Sequence, residues 1–173
     1  RWILSELSIL ISDCEKSFDD LNATKAGRDI QAFVVNNLSN WYVRLCRRRF
    51  WKSTYGPDKI SAFQTLYDCL LAVSKISSPI APFYSDFLFK DLTFFKNKKN
   101  SVHLSSWPSG SFLEKDFDLV KKMRVIQSIT SLGLSLRKKL KLKVRQPLSS
   151  VSVILNKAKE MSFEDEFLSV LKT

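Results

Sequence analysis

Apolar residues recur every three or four positions along most of this chain, and no other feature of the sequence restricts the fold as strongly. This spacing matches the turn of an α-helix and gives each helix one apolar face. It predicts an all-α fold, an antiparallel helical bundle, because the connections between the segments are mostly short. The predicted helices span about 1–21, 22–55, 57–73, 83–88 and 113–138.

Capping residues, glycine and proline mark the predicted helix ends. Asn22 or Thr24 offers a side-chain oxygen to the free N–H groups that begin the second helix. Gly56 ends that helix and Pro57 begins the next one. The periodicity is lost from Thr93 to Phe112, which predicts a long connecting loop.

The period changes to two near the C-terminus, which is typical of a strand with one basic face. The alternating residues are Leu140, Leu142 and Val144 with Lys139, Lys141, Lys143 and Arg145. A turn, a second strand in VSVIL and a short helix over 162–171 are predicted to follow. We therefore expect a helical domain over 1–139 and a truncated α/β module with a small β appendage over 140–173.

Positive charge is concentrated in the middle of the chain. Residues 44–145 hold 21 basic and seven acidic side chains, and the whole chain has a net charge of +11. Such a surface favours a polyanion as partner, RNA or DNA before an anionic membrane. No apolar run approaches the roughly 20 residues of a membrane span, so we expect a cytoplasmic protein without membrane contact.

The residues that catalytic and metal sites need are scarce. His103 is the single histidine, and none of the four glycines stands in a phosphate-binding spacing. Cys14, Cys46 and Cys69 form no CxxC pair and are interpreted as buried apolar residues, which disfavours a disulfide scaffold or a zinc site. We expect no catalytic site, no metal site and no cofactor in this chain.

The segment NNLSNWYVRLCRRRFW, residues 36–51, combines aromatic rings with arginines. Wound as an α-helix, it places Leu38, Trp41, Tyr42 and Leu45 toward a core. The opposite side carries what we call the basic stripe: Asn37, Asn40, Arg44, Arg47, Arg48 and Trp51. Arginine suits phosphates and an exposed indole can stack on a base, so the stripe predicts RNA binding. Two alternatives stay open: the arginines form only a solvated face, and Asn40 is a buried amide.

Two further basic clusters follow the stripe. One consists of Lys121, Lys122 and Arg124. The other is RKKLKLKVR, residues 137–145, in which six of nine residues are basic. Five of the six are the candidates for phosphate neutralisation: Lys138, Lys139, Lys141, Lys143 and Arg145. A helical bundle with three basic clusters and many aromatic residues favours nucleic-acid binding.

Several stretches resemble the anticodon-binding region of the isoleucyl-tRNA synthetases, in the same order and spacing. SSPIAPF and SVHLSSWP are shared with valyl and leucyl enzymes, whereas NWYVRLCRRRFW and KVRQPL point to the isoleucyl member. The resemblance covers Arg1 to about Ile154 and adds Gln146, in KVRQPL, to the candidate tRNA-binding residues.

The resemblance implies a fragment of a class I synthetase that binds the anticodon stem and loop of isoleucine tRNA as a monomer, and no DNA. The parent enzyme uses ATP and Mg²⁺ to ligate isoleucine to its tRNA on another domain. The HIGH-type and KMSKS-type signatures and the zinc-binding cysteines of many bacterial members do not occur in this chain. The alternative function is a basic helical module that grips RNA backbone, acidic protein or lipid without base specificity.

Overall fold

The computed structural model describes residues 1–52, 54–96, 101–109, 115–150 and 152–153. The predicted all-α class is confirmed, and these residues contain no β-strand. None of the helices in these ranges is long and apolar enough to cross a membrane. The elements are α1 (Trp2–Asp19), α2 (Ala23–Ala32), a π-helix (Phe33–Val43), α3 (Arg47–Trp51), α4 (Pro57–Ser77), α5 (Pro82–Thr93), two 3-10 turns (Phe94–Lys96 and Val102–Leu104) and α6 (Phe117–Lys139).

The chain divides into two compact units, Arg1–Lys115 and Asp116–Thr173. In the first unit, α1 packs against α2, the π-helix and α4, and α4 also packs against α3 and α5. Ile3 and Leu7 of α1 and Ile76 of α4 are fully buried and form part of its core. The second unit contains α6. The domain boundary predicted at residue 139 stays a prediction.

Capping residues, glycine and proline lie at helix ends in the structure. The side chain of Asn22 accepts a hydrogen bond of 3.0 Å from the backbone N–H of Lys25 and caps α2. Pro57 is the first residue of α4, directly after Gly56, as predicted. α6 begins at Phe117, and Asp116 caps it by accepting from the Leu119 N–H at 2.9 Å. The predicted start near Leu113 and Glu114 lies outside the described residues.

The three cysteines are free and buried, which confirms the interpretation of them as small apolar residues. Burial raises the pKa of the Cys69 thiol to about 12 and that of Cys14 to about 11. A thiol with a raised pKa is mostly protonated at neutral pH and therefore a poor nucleophile.

The predicted strand over 139–145 is wrong. α6 continues through Lys139, and Lys141 adopts a left-handed backbone with φ 54°. The Lys141 N–H donates to the Lys138 carbonyl at 3.2 Å and the Leu142 N–H to the Arg137 carbonyl at 2.9 Å, which is a Schellman cap. A strand needs a partner to pair with, and alternation in sequence cannot supply one. Most of the second predicted strand and the whole predicted helix over 162–171 lie outside the described residues.

α1 also ends in a Schellman cap, and this cap leads to a prediction about stability. Leu21 has φ 57° and is 92% exposed, while the Asn22 N–H donates to the Ser17 carbonyl at 2.7 Å. A left-handed backbone costs a side chain about 1–2 kcal/mol, and glycine avoids this cost but loses about 0.5–1 kcal/mol of chain entropy. We expect Leu21→Gly to raise the free energy of unfolding by about 0.5–1 kcal/mol, measured by urea denaturation.

The neighbouring Asp20 provides the control for this substitution. Its backbone is right-handed, with φ −79°, so glycine relieves no strain there. Asp20→Gly should therefore lower the stability. If Leu21→Gly also lowers it, the left-handed cap carries no strain that glycine can remove.

Candidate nucleic-acid interface

The segment that carries the basic stripe was predicted to be one α-helix, but it contains two consecutive elements, a π-helix and the short helix α3. Residues Phe33–Val43 form a π-helix, whose hydrogen bonds join residues five apart and whose turn is wider than that of an α-helix. The helix is interrupted at Cys46, which has φ −82° and ψ 3°. The short helix α3 follows, so the helix predicted to continue to Tyr55 ends at Trp51.

The wider turn changes which residues face the core. Buried residues follow one another in steps of five and then four: Phe33, Leu38, Tyr42, Cys46 and Phe50. Residues five apart, such as Phe33 and Leu38, share a face of a π-helix but not of an α-helix, which explains why this row of buried residues was only partly predicted from the sequence.

Two of the four predicted core residues are placed correctly. Leu38 and Tyr42 are buried, whereas Trp41 is half-buried and Leu45 is 41% exposed. The prediction for Trp41 and Leu45 is wrong because it assumed 100° per residue throughout, and the π-helix rotates each later residue less.

Tyr42 and Phe50 fix the segment to α4. The buried Tyr42 hydroxyl donates to the carbonyl of Ala62 at 2.9 Å, and burial raises the pKa of Tyr42 to about 12. The Phe50 ring lies 6.3 Å from that of Tyr42 and 5.0 Å from that of Phe63 on α4. These contacts hold the opposite side of the segment toward solvent.

The basic stripe lies mainly on this solvent side. Trp51 is 71% exposed and Asn37 is half-buried, while the other four members are exposed: Asn40, Arg44, Arg47 and Arg48. The exposure of Asn40 is contrary to the alternative of a buried amide.

The charged groups of the stripe are available to a ligand. The Arg47 guanidinium lies 5.9 Å from the centre of the Trp51 ring, within the range of a cation–π contact. Within the described ranges, Arg44 and Arg48 make no hydrogen bond or ion pair with another side chain. Unpaired guanidiniums can bind phosphates, and an exposed indole can stack on a base.

Arg49, which lies outside the stripe, has a different role. Its Nε and Nη2 donate to the two carboxylate oxygens of Asp58 at 2.9 and 2.7 Å, and Nη2 also donates to the Asp58 carbonyl at 3.0 Å. This pairing raises the pKa of the Arg49 guanidinium. Sequence reasoning missed the pair because the two residues meet across a turn, and no periodic pattern connects them.

The basic C-terminal segment belongs to the second unit. Its six candidates are exposed: Lys138, Lys139, Lys141, Lys143, Arg145 and Gln146. Arg137, which was not predicted as a site residue, donates from Nη1 to the carbonyls of Lys143 and Gln146, both at 2.9 Å. This guanidinium therefore fixes the turn that carries the last three candidates.

The third cluster is less available to a ligand. Lys122 Nζ pairs with Asp118 at 3.1 Å, while Lys121 and Arg124 are exposed. Across the ranges that the structure describes, no three His, Cys, Asp or Glu side chains come together as metal ligands. The groups found here suit the binding of an anion or a base.

Comparison with known proteins gives one consistent result. The family model for the anticodon-binding domain of tRNA ligase matches residues 1–154. The isoleucine–tRNA ligase of Cytophaga hutchinsonii is 51% identical over 155 residues, which are 88% of this chain and 14% of that protein. That of Porphyromonas gingivalis is 50% identical over 153 residues, 88% of this chain and 13% of that protein.

A more distant relative agrees with these two. The isoleucine–tRNA ligase of Dehalococcoides mccartyi strain CBDB1 is 44% identical over 162 residues, 92% of this chain and 16% of that protein. The chain thus spans about one seventh of the length of its relatives, as the 14% coverage of the Cytophaga protein illustrates.

Proposed function

The chain belongs to the anticodon-binding domain family of tRNA ligases, and from this premise we propose that it binds the anticodon stem and loop of isoleucine tRNA. The choice of isoleucine tRNA rests on the relatives, which are isoleucine–tRNA ligases. In this proposal the domain acts as a monomer in the cytoplasm, binds RNA in preference to DNA and uses no cofactor of its own.

One observation carries the proposal: three exposed arginines and an exposed tryptophan lie on one segment that Tyr42 and Phe50 attach to α4. Arg44, Arg47 and Arg48 supply forked donors for phosphate oxygens. Trp51 supplies a flat surface for an unpaired base. The anticodon loop offers both groups, because its bases are unpaired and its backbone is a polyanion.

The other candidates take secondary parts in this proposal. Asn40 is exposed on the segment that precedes Arg44, where its amide can donate to and accept from a base edge. Lys138, Lys139, Lys141, Lys143 and Arg145 neutralise phosphates, as their exposure permits. For the longer protein, we propose isoleucine–tRNA ligation with ATP and Mg²⁺ in a catalytic domain outside this chain.

A salt series tests the proposal. Binding of isoleucine tRNA to the chain should weaken linearly in log–log form as salt rises, because each neutralised phosphate releases counterions. Arg48→Ala should reduce the steepness of this slope by about one phosphate contact, about 0.7–0.9 in the exponent. The measurement is fluorescence anisotropy of labelled tRNA at several salt concentrations.

Lys16→Ala is the control because Lys16 is an exposed basic residue on α1, outside the stripe. It should leave the slope almost unchanged. Equal slopes for both variants would mean that Arg48 makes no specific phosphate contact. Equal affinity for anionic vesicles and for tRNA would favour the alternative of a general basic interaction module.

A further inference from the structure

The short helix α3 carries half of the basic stripe, yet the main chain alone does not fix its direction. It has five residues, Arg47–Trp51, and the helix is interrupted at Cys46 directly before it. So short a helix is marginal by itself and takes its orientation from tertiary contacts. The contacts of α3 with α4 therefore decide where Arg47, Arg48 and Trp51 point.

One side-chain pair connects the interruption, α3 and α4. Arg49 donates twice to the carboxylate of Asp58 and once to its carbonyl, at 2.7 to 3.0 Å. Its remaining nitrogen, Nη1, lies 3.5 Å from the sulfur of Cys46 at the interruption. A two-point contact between planar groups restrains direction as well as distance. Phe50, between Arg49 and Trp51 in sequence, adds an apolar contact with Phe63 on α4.

We propose that Asp58 is a positioning residue for RNA binding: through Arg49 it orients α3 so that Arg48 and Trp51 meet a phosphate and an adjoining unpaired base. This inference rests on the proposed function and adds to it a residue that touches no RNA. The ligand class is single-stranded RNA with a stackable base.

The direction of the change in RNA affinity on substituting Asp58 distinguishes a positioning role from simple charge attraction. Asp58 is an acidic residue close to an arginine-rich surface, so removing its charge should strengthen the attraction for a polyanion. Loss of orientation acts in the opposite direction, because a misaligned indole and guanidinium bind more weakly. Asp58→Asn removes the charge and keeps the shape, so the two accounts predict opposite changes.

The experiment measures the affinity of the chain for the isoleucine tRNA anticodon stem-loop. Asp58→Asn should weaken binding by about five-fold, the lower end of the cost of losing one stacked base. Arg49→Lys keeps the charge but not the fork, and should also weaken binding. Asp91→Asn, an exposed carboxylate on α5 without a partner in the described residues, is the charge-matched control and should not weaken it.

Two further measurements distinguish positioning from a general loss of structure. The Arg49–Asp58 pair is largely exposed, with side-chain exposures of 36% and 69%, so its loss should barely change the Tm. In a Trp51→Ala background, most of the effect of Asp58→Asn should disappear, because the group that it orients is gone.

Each outcome decides one question. Stronger or unchanged binding by Asp58→Asn overturns the inference, and so does an equal loss in the presence and absence of Trp51. If Trp51→Ala itself leaves the affinity unchanged, the proposed stacking function fails instead. If the wild-type chain does not bind the stem-loop, the proposed function fails as a whole.

Discussion

Replacing Phe50 with alanine is expected to lower the free energy of unfolding by about 3–5 kcal/mol, the range for truncating a buried aromatic side chain. Phe50 is 8% exposed and its ring lies near those of Tyr42, Trp51 and Phe63, with the shortest centre-to-centre distance, 5.0 Å, to Phe63. Alanine leaves a cavity between α3 and α4 and removes the edge-to-face contacts. Urea denaturation measured by far-UV circular dichroism gives the value.

Trp51→Ala is the matched comparison for Phe50→Ala. The two residues are adjacent and both aromatic, but Trp51 is 71% exposed. Truncation there should cost about 1 kcal/mol or less, chiefly the cation–π contact with Arg47. Similar losses at both positions would contradict the division of this segment into an anchored side and a free side.

Trp51→Ala is in turn expected to have the largest effect of a single substitution on RNA affinity. Removing a ring that stacks on an unpaired base costs about 1–3 kcal/mol, which is roughly five- to a hundred-fold in Kd. Trp51→Phe should recover part of the loss, since phenylalanine also offers a ring face. Titration of the labelled anticodon stem-loop at one fixed salt concentration measures all three proteins.

Phe83→Ala controls for the loss of any exposed aromatic surface. Phe83 lies on α5, outside the stripe, and is 90% exposed. Its truncation should leave RNA affinity unchanged. A loss as large as that of Trp51→Ala would mean that exposed rings bind RNA without regard to position, and that the stripe has no special role.

Local signals in the sequence predicted those features of the fold that depend on local chemistry. Asn22 caps a helix because its side-chain oxygen reaches an N–H three residues away, and Pro57 begins one because its ring already has a helical φ. The burial of Cys14, Cys46 and Cys69 was predicted because a free cysteine behaves as a small apolar residue. Such features need no knowledge of distant parts of the chain.

The failures have a common cause in contacts that the sequence does not reveal. The alternation of Leu140, Leu142 and Val144 suggested a strand. Instead, the N–H groups of Lys141 and Leu142 donate to carbonyls in the last turn of α6, and the Lys143 carbonyl accepts from Arg137. The π-helix likewise shifted Trp41 and Leu45 away from the predicted core positions. In both places a backbone hydrogen-bonding pattern, invisible in side-chain periodicity, determined the outcome.

The sequence predicted part of the candidate site and missed the residues that depend on distant contacts. A helical projection grouped Asn40, Arg44, Arg47, Arg48 and Trp51 correctly on the exposed side because steps of three and four dominate even across the π-helix. The projection did not include Arg49, Asp58 or Arg137. The Arg49 guanidinium donates to the Asp58 carboxylate, and the Arg137 guanidinium donates to two backbone carbonyls. Whether the exposed residues bind RNA stays a prediction.

The most direct test of the central claim is a comparison of three RNAs across a salt series: isoleucine tRNA, the same tRNA with its anticodon bases changed, and an unrelated tRNA. If the domain reads unpaired bases, the anticodon change should weaken binding at every salt concentration, because stacking and base-edge contacts do not depend on counterion release. If all three RNAs bind alike and lose affinity together as salt rises, the domain grips only the phosphate backbone, and anticodon recognition by this chain is contradicted.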